Sequence, residues 1–185
     1  MDFAVNNTEN TPKTFRILVA EEHRVVSRGL IQLINSEPGL SVEGEVQNAE
    51  QVLSLLRRRS FDLVVIDLPM MLDSSHTEQI VGVQFVEQIK AAAPDIKVLV
   101  LSMHDELVFV ENALKAGACG YVVKYEAAEK IVSAVNMVMD GKIYVNDNMM
   151  QQLFKKIALN RTSGSGVKRI IQGFKTGQGR ERRGK

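Results

Sequence analysis

Two hydrophobic periods run through this chain. Five apolar runs of strand length stand out: Phe15 to Ala20, Leu40 to Val46, Phe61 to Asp67, Ile96 to Leu101 and Cys119 to Val123. Between and after them, apolar residues recur every three or four positions, which predicts amphipathic helices. The first spans His23 to Ser36, with Val25, Val26, Gly29, Leu30, Leu33 and Ile34 as its apolar positions, and Pro38-Gly39 closes it. The second begins after Asn48, an N-cap residue type followed three positions on by Gln51. It presents Val52, Leu53, Leu55 and Leu56, and Arg57-Arg58-Arg59 suits its C-terminal end. A polar loop from Asp73 to Gln79 precedes the third helix, Val81 to Ala93, with Val83, Val86 and Ile89 inward and Pro94 as its stop. The fourth, Glu106 to Ala116, ends at Gly117, a C-cap residue type. The fifth, Glu126 to Asp140, places Ile131, Ala134, Val135 and Val138 on one face.

Five strands alternating with five helices predict an α/β domain: a parallel sheet covered on both faces, joined by right-handed crossovers. Leu63-Val64-Val65-Ile66 is a continuous aliphatic run, as in a central strand buried on both faces. Leu40 to Val46 alternates Leu and Val with Ser, Glu and Gly, as a strand nearer a sheet edge does. A sixth helix, Asp147 to Leu159, carries Met150, Leu153, Phe154 and Ile157 on one side, and Thr162 to Gly166 breaks the pattern. The expected organisation is a disordered leader over 1–14, the α/β domain over 15–141, a separate helix within 142–160 and a basic, disordered tail over 161–185.

The net charge of +1 conceals two opposed parts. Arg161 to Lys185 holds eight basic residues and one acid, a charge of +7; the remainder holds 15 basic and 21 acidic residues, a charge of −6. No apolar run approaches the ~20 residues of a membrane span, and the polar N-terminus lacks the pattern of a signal peptide. The single cysteine, Cys119, excludes an internal disulfide, fits a reducing cytoplasmic setting and reads as a small core residue. His23, His76 and His104 are scattered, which suits surface residues better than metal ligands.

The chemistry is concentrated at strand ends. Glu21-Glu22 follows the first strand, Asp67 ends the third, Ser102 follows the fourth and Lys124 the fifth. In a parallel sheet these all lie at the carboxyl edge and converge on one patch. Three carboxylates held together raise one pKa or recruit a cation, and a hard ion such as Mg²⁺ suits oxygen ligands. Lys124 adds a cation and Ser102 a hydroxyl, the parts needed to bind a phosphoryl group on Asp67 as an aspartyl-phosphate. A nucleotide-binding enzyme is the competitor for this fold. The first βα turn argues against it, because Glu-Glu repels phosphate where a phosphate cradle needs glycines and bare N–H groups.

The order acidic pair, strand-end Asp, Ser, Lys resembles the receiver domain of two-component response regulators, over about Phe15 to Gly141. VLVLSMHDE (98–106) and KAGACGYVVK (115–124) are most similar to the NarL/FixJ subfamily with LuxR-type DNA-binding domains. The resemblance implies a flavodoxin-like (βα)5 three-layer sandwich with strand order 2-1-3-4-5. It implies Asp67 as phosphoacceptor, Glu21 and Glu22 as the acidic metal pair, and the main-chain carbonyl of Pro69 as a further Mg²⁺ ligand. Ser102 becomes the switch hydroxyl, Lys124 the site lysine and Tyr121 the aromatic switch. The implied partners are a sensor histidine kinase or phosphotransfer protein, and a second copy paired through the fourth helix, fifth strand and fifth helix. In this role the chain is not an enzyme beyond its own phosphotransfer and dephosphorylation.

Three departures accompany the resemblance. The pair is Glu-Glu where Asp is usual, the loop after Asp67 is long, and the residues after 160 are too few for the expected helix-turn-helix. Two other readings therefore stand beside the first. One is a degenerate receiver that binds a partner without phosphorylation. The other is nucleic-acid binding through Arg161 to Lys185, where Lys and Arg suit phosphate contacts but a lone aromatic, Phe174, gives little stacking.

Overall fold

The computed structural model describes residues 13–68 and 78–160. The strands are β1 (Phe15–Ala20), β2 (Leu40–Val46), β3 (Leu63–Asp67), β4 (Lys97–Ser102) and β5 (Gly120–Val123). The helices are α1 (Arg24–Asn35), α2 (Ala49–Leu56), α3 (Glu78–Ala92), α4 (Leu107–Ala116), α5 (Ala127–Met139) and α6 (Asp147–Asn160), with a 3-10 turn over Lys124–Glu126. The sheet is parallel throughout, in the order β2-β1-β3-β4-β5. This is the flavodoxin-like arrangement expected from the sequence.

Every residue of β3 is buried, as its unbroken aliphatic run demands, whereas β2, the alternating strand, lies at the sheet edge. Two cores flank the sheet. One gathers Leu18, Val64, Ile66, Val98 and Val100 with Val52, Phe85, Val86 and Ile89. The other gathers Ile17, Val19, Leu63, Val65 and Leu99 with Leu30, Ile34, Ile131, Ala134 and Val135. Alternate residues of β1, β3, β4 and β5 thus enter opposite layers, while in β2 a register shift between Val42 and Gly44 moves Val46 to the layer opposite Val42.

Several helix faces and boundaries depart from the sequence pattern. In α1 the buried positions are Ser27, Leu30 and Ile34, while Val25 is 85% exposed. Ser27 turns inward because its hydroxyl donates to Glu45 Oε1 at 2.8 Å, which satisfies a polar group that would otherwise be costly to bury. Helix α3 begins at Glu78, within the predicted loop, and Phe85 joins Val86 and Ile89 in the core. Cys119 precedes β5 and is only partly buried.

In α6 the inward row is Met149 and Leu153, and Phe154 is 58% exposed. The i, i+4 pair meets the first core beside Val110 and Ala113, and a residue one position on falls about 100° round the helix. Predicted terminators also act as read: Asn48 Oδ1 accepts from Gln51 N at 2.9 Å, and Gly117 takes φ 107° at the end of α4. The chain past α5 returns to the sheet at Tyr144, which exchanges hydrogen bonds with β5: Tyr121 N to Tyr144 O at 2.8 Å, and Tyr144 N to Cys119 O at 3.2 Å. Gly120 permits that approach, since a Cβ there would sit 2.8 Å from Leu99 Cδ1 and 3.1 Å from Tyr144. Among the described residues, no helix is long and apolar enough to cross a membrane.

Candidate functional site

The carboxyl ends of β1, β3 and β5 deliver Glu21, Asp67 and Lys124 to one point. Glu21 and Asp67 are wholly buried, and the Lys124 side chain is 12% exposed. The Lys124 ammonium donates to Asp67 Oδ2 at 2.5 Å and lies 2.8 Å from Glu21 Oε2. The second contact is an ion pair without hydrogen-bond alignment. Among the described residues, Glu21 Oε2 and Asp67 Oδ1 are the buried side-chain oxygens that accept no hydrogen bond. Glu21 Oε2 still has the Lys124 charge beside it, so Asp67 Oδ1 is the oxygen whose burial carries the larger desolvation cost and marks a place for a further positive group.

Electrostatics divide the two acids. Burial pushes the Asp67 carboxyl up to about 6; the bond from Lys124 opposes this and the Glu21 charge adds to it. For Glu21, burial is opposed and outweighed by Lys124 and by the backbone N–H of His23, which hold it below the usual glutamate value. Burial also works against the Lys124 charge, but Asp67 and Glu21 prevail and keep it above the ordinary lysine range. At neutral pH the pocket therefore holds two carboxylates and one ammonium, with Asp67 the easier to protonate.

Of the three carboxylates expected to converge, two do. The Glu22 side chain is 47% exposed and lies outside the cluster, with Oε1 3.7 Å from His23 Nδ1. A ring nitrogen of His23, whose side chain is 64% exposed, lies nearer: it, a Glu21 oxygen and an Asp67 oxygen lie within 4.8 Å of one another. The sequence carried a signal for this, a histidine two positions after the strand-end glutamate, but spacing alone could not show that β3 would bring Asp67 alongside. Pro69, the expected carbonyl ligand, lies outside the described residues, as do residues 70–77 of the loop after Asp67.

Ser102, Tyr121 and the β4–α4 loop form a second group beside the first. Ser102 is 2% exposed and its Oγ accepts from His104 N at 3.1 Å. Tyr121 is fully buried, and its hydroxyl donates to His104 O at 2.9 Å. The same backbone segment is thus tied to the strand-end hydroxyl and to the aromatic residue on β5. Burial pushes the Tyr121 phenol up to about 12, so it remains a donor at any physiological pH.

Comparison with known proteins decides what kind of domain carries this geometry. The response regulator receiver domain family matches residues 17–136. The chain belongs to that family. Response regulator GacA of Pseudomonas aeruginosa is 30% identical over 141 residues, 76% of this chain and 63% of that protein. Transcriptional regulatory protein DegU of Brevibacillus brevis is 27% identical over 150 residues, 81% of this chain and 61% of that protein. This receiver therefore spans about three fifths of the length of the curated relatives it matches. Among solved structures, a LuxR-family two-component response regulator from Aurantimonas sp. superposes with a TM-score of 0.67 at 26% identity, over 78% of this chain and 98% of that one. The receiver domain of the NarL regulator of Mycobacterium tuberculosis gives 0.61 at 25% identity, over 71% of this chain and all of that one. The relatives are thus NarL/LuxR-type response regulators, the subfamily that the 98–106 and 115–124 motifs resemble.

Proposed function

We propose that this receiver accepts a phosphoryl group on Asp67 from a histidine kinase or phosphotransfer protein, and that the modification switches a protein-binding surface. The observation that carries this is the pocket itself: Asp67 ends the central strand, with one oxygen on Lys124 and the other accepting no hydrogen bond among the described residues. In the transfer step a carboxylate oxygen of Asp67 attacks phosphorus. The bond from phosphorus to the donor nitrogen or oxygen breaks, and the leaving group takes that electron pair and a proton. Lys124 then turns from carboxylate charge to phosphoryl charge, and the Ser102 hydroxyl offers a donor to a phosphoryl oxygen. Because Ser102 Oγ also holds His104 N, and His104 O holds Tyr121, recruitment of that hydroxyl pulls on the loop that opens α4.

The pocket fits a divalent cation such as Mg²⁺. Glu21 and Asp67 present hard oxygen donors, one oxygen of each accepts no hydrogen bond, and Mg²⁺ is commonly held by one or two carboxylates with water completing its shell. When bound there, the ion supplies neutralisation of the developing phosphoryl charge. Glu22, exposed at the rim, and the Pro69 carbonyl are assigned to the same shell by resemblance.

The switched surface is the α4–β5–α5 face, with α6 now part of it. Met149 and Leu153 pack beside Val110, and Lys156 bonds Glu111 on α4. A second copy or an effector would read that face. By likeness to DegU, named a transcriptional regulatory protein, the output concerns transcription. The exposed position of Glu22 favours the second reading, a receiver that binds its partner without phosphorylation.

The experiment is incubation with acetyl phosphate and Mg²⁺, followed by intact mass. Wild type gains one phosphoryl group and Asp67→Asn gains none. Equal labelling of both proteins removes Asp67 from the role. No labelling of either favours the phosphorylation-independent reading.

A further inference from the structure

We propose that His23 is a ligand of the Asp67 pocket and makes it a mixed nitrogen–oxygen centre that favours a first-row transition ion, such as Mn²⁺ or Co²⁺, over Mg²⁺. The inference rests on the reading of the pocket as a divalent-cation site and deepens it by naming the class of ion.

Four observations carry it. A ring nitrogen of His23 falls within 4.8 Å of a Glu21 oxygen and an Asp67 oxygen, so the β1–α1 turn contributes two donors and the end of β3 one. Two of those donors are fully buried carboxylates; Asp67 Oδ1 accepts no hydrogen bond among the described residues, and Glu21 Oε2 has only its ion pair with Lys124. The imidazole already contacts the Glu21 carboxylate, with Nδ1 3.1 Å from Glu21 Oε1 and 3.7 Å from Glu22 Oε1. The His23 backbone N–H independently donates to Glu21 Oε1 at 3.0 Å, so the main chain fixes the geometry of this pair. Donors on opposite sides of an ion with ~2.1 Å bonds stand about 4 Å apart. The His23 side chain is 64% exposed, so a rotation of its ring closes the triad without disturbing the core.

The chemistry then separates ions. Mg²⁺ keeps its waters and takes oxygen ligands, so it gains little from an imidazole. Affinity for sites with nitrogen donors rises along the first-row series from Mn²⁺ through Co²⁺, so an imidazole ligand adds less for Mn²⁺ and more for Co²⁺. Glu22 lies outside the group of three donors, so the third donor beside the two buried carboxylates is the His23 nitrogen. The imidazole would exchange its contact with Glu21 for the ion, and the carboxylate oxygens would keep Lys124.

The test is direct metal binding to the full chain, by calorimetry for Mg²⁺ and by electron paramagnetic resonance of free Mn²⁺, on wild type and His23→Ala. Alanine keeps the backbone N–H to Glu21, and His23 makes no side-chain cap to α1, so the fold is unaffected. The expected result is a loss of about tenfold or more in Mn²⁺ affinity, with Mg²⁺ affinity unchanged. Wild type loaded with Co²⁺ should also show a paramagnetically shifted imidazole N–H resonance that is missing from the variant. Equal Mn²⁺ affinity in the two proteins overturns the assignment of His23 while leaving the cation site intact. Absence of any divalent binding to wild type, or binding retained in Asp67→Asn, overturns both this inference and the site on which it rests.

Discussion

Two charged clusters in this molecule have opposite balance. In the Asp67 pocket, two fully buried carboxylates share the ammonium of Lys124, and one oxygen of each accepts no hydrogen bond. On the α4–α6 face, the nearly buried carboxylate of Glu111 has two lysines: Lys156 at 2.6 and 2.7 Å from its two oxygens and Lys115 at 3.6 Å. Both lysines there are half exposed or more. The first cluster has too little positive charge and is held in place by strands. The second has enough and rests on helix surfaces. Buried negative charge short of partners at a rigid position costs stability and is available for chemistry, whereas a carboxylate amply partnered by surface lysines fastens one element to another.

The comparison predicts a graded set of effects. Lys124→Met leaves two buried carboxylates without their shared partner and should cost roughly 3–5 kcal/mol, read by urea denaturation at pH 7.5. The double variant Lys124→Met/Asp67→Asn should recover much of that loss, because one of the two stranded charges is gone; simple additivity would break the idea that they form one unit.

Asp67→Asn alone should stabilise the protein by about 1–3 kcal/mol at pH 7.5. The sign follows from linkage. The Asp67 carboxyl protonates at about 6 when folded against 3.8 in its ordinary state, so the folded wild type binds more protons between those values. The Asp67 contribution to stability therefore falls as pH rises from about 4 to 6, and the advantage of Asn should be full above 6 and vanish below 4. An advantage independent of pH would mean that packing, not charge, is its source.

On the other face the effects should be smaller. Glu111→Gln should cost about 1 kcal/mol, since it weakens two contacts whose lysines can return to water. Lys156→Met should cost under about 1 kcal/mol and should loosen α6, seen as faster amide exchange at Met149 and Leu153. A Lys156 effect as large as that of Lys124 would erase the distinction between the clusters.

Much of this was legible in the sequence, for reasons that differ by region. Leu63 to Ile66 announces a central strand because four consecutive aliphatics suit burial on both faces, and Asp67 follows it directly. Asn48 and Gly117 announce their caps because each has a local bonding or backbone reason to be there. The α1 face was misread because hydrophobicity ranked Val25 above Ser27, and only the neighbouring β2 supplies the Glu45 acceptor that draws the serine inward. In α6 the expected Leu153 and Met150 pack against the core, whereas Phe154 is exposed and Met149 buried, because the partner that sets the face, α4, is remote in sequence. Convergence of Glu21, Asp67 and Lys124 follows from parallel topology. That a His23 nitrogen, rather than a Glu22 oxygen, comes near Glu21 and Asp67 does not: it depends on how the chain turns after Ala20, a matter of backbone direction rather than residue type.

The measurement that tests the central claim most directly is thermal unfolding of wild type and Asp67→Asn with and without millimolar divalent cation at pH 7.5. Charge deficit at Asp67 predicts that the metal-free variant melts higher than metal-free wild type, and that the cation raises the midpoint of wild type while leaving the variant nearly unmoved. Equal midpoints without metal, together with equal shifts on its addition, would contradict the account, because the pocket would then be neither short of positive charge nor the place where a cation binds.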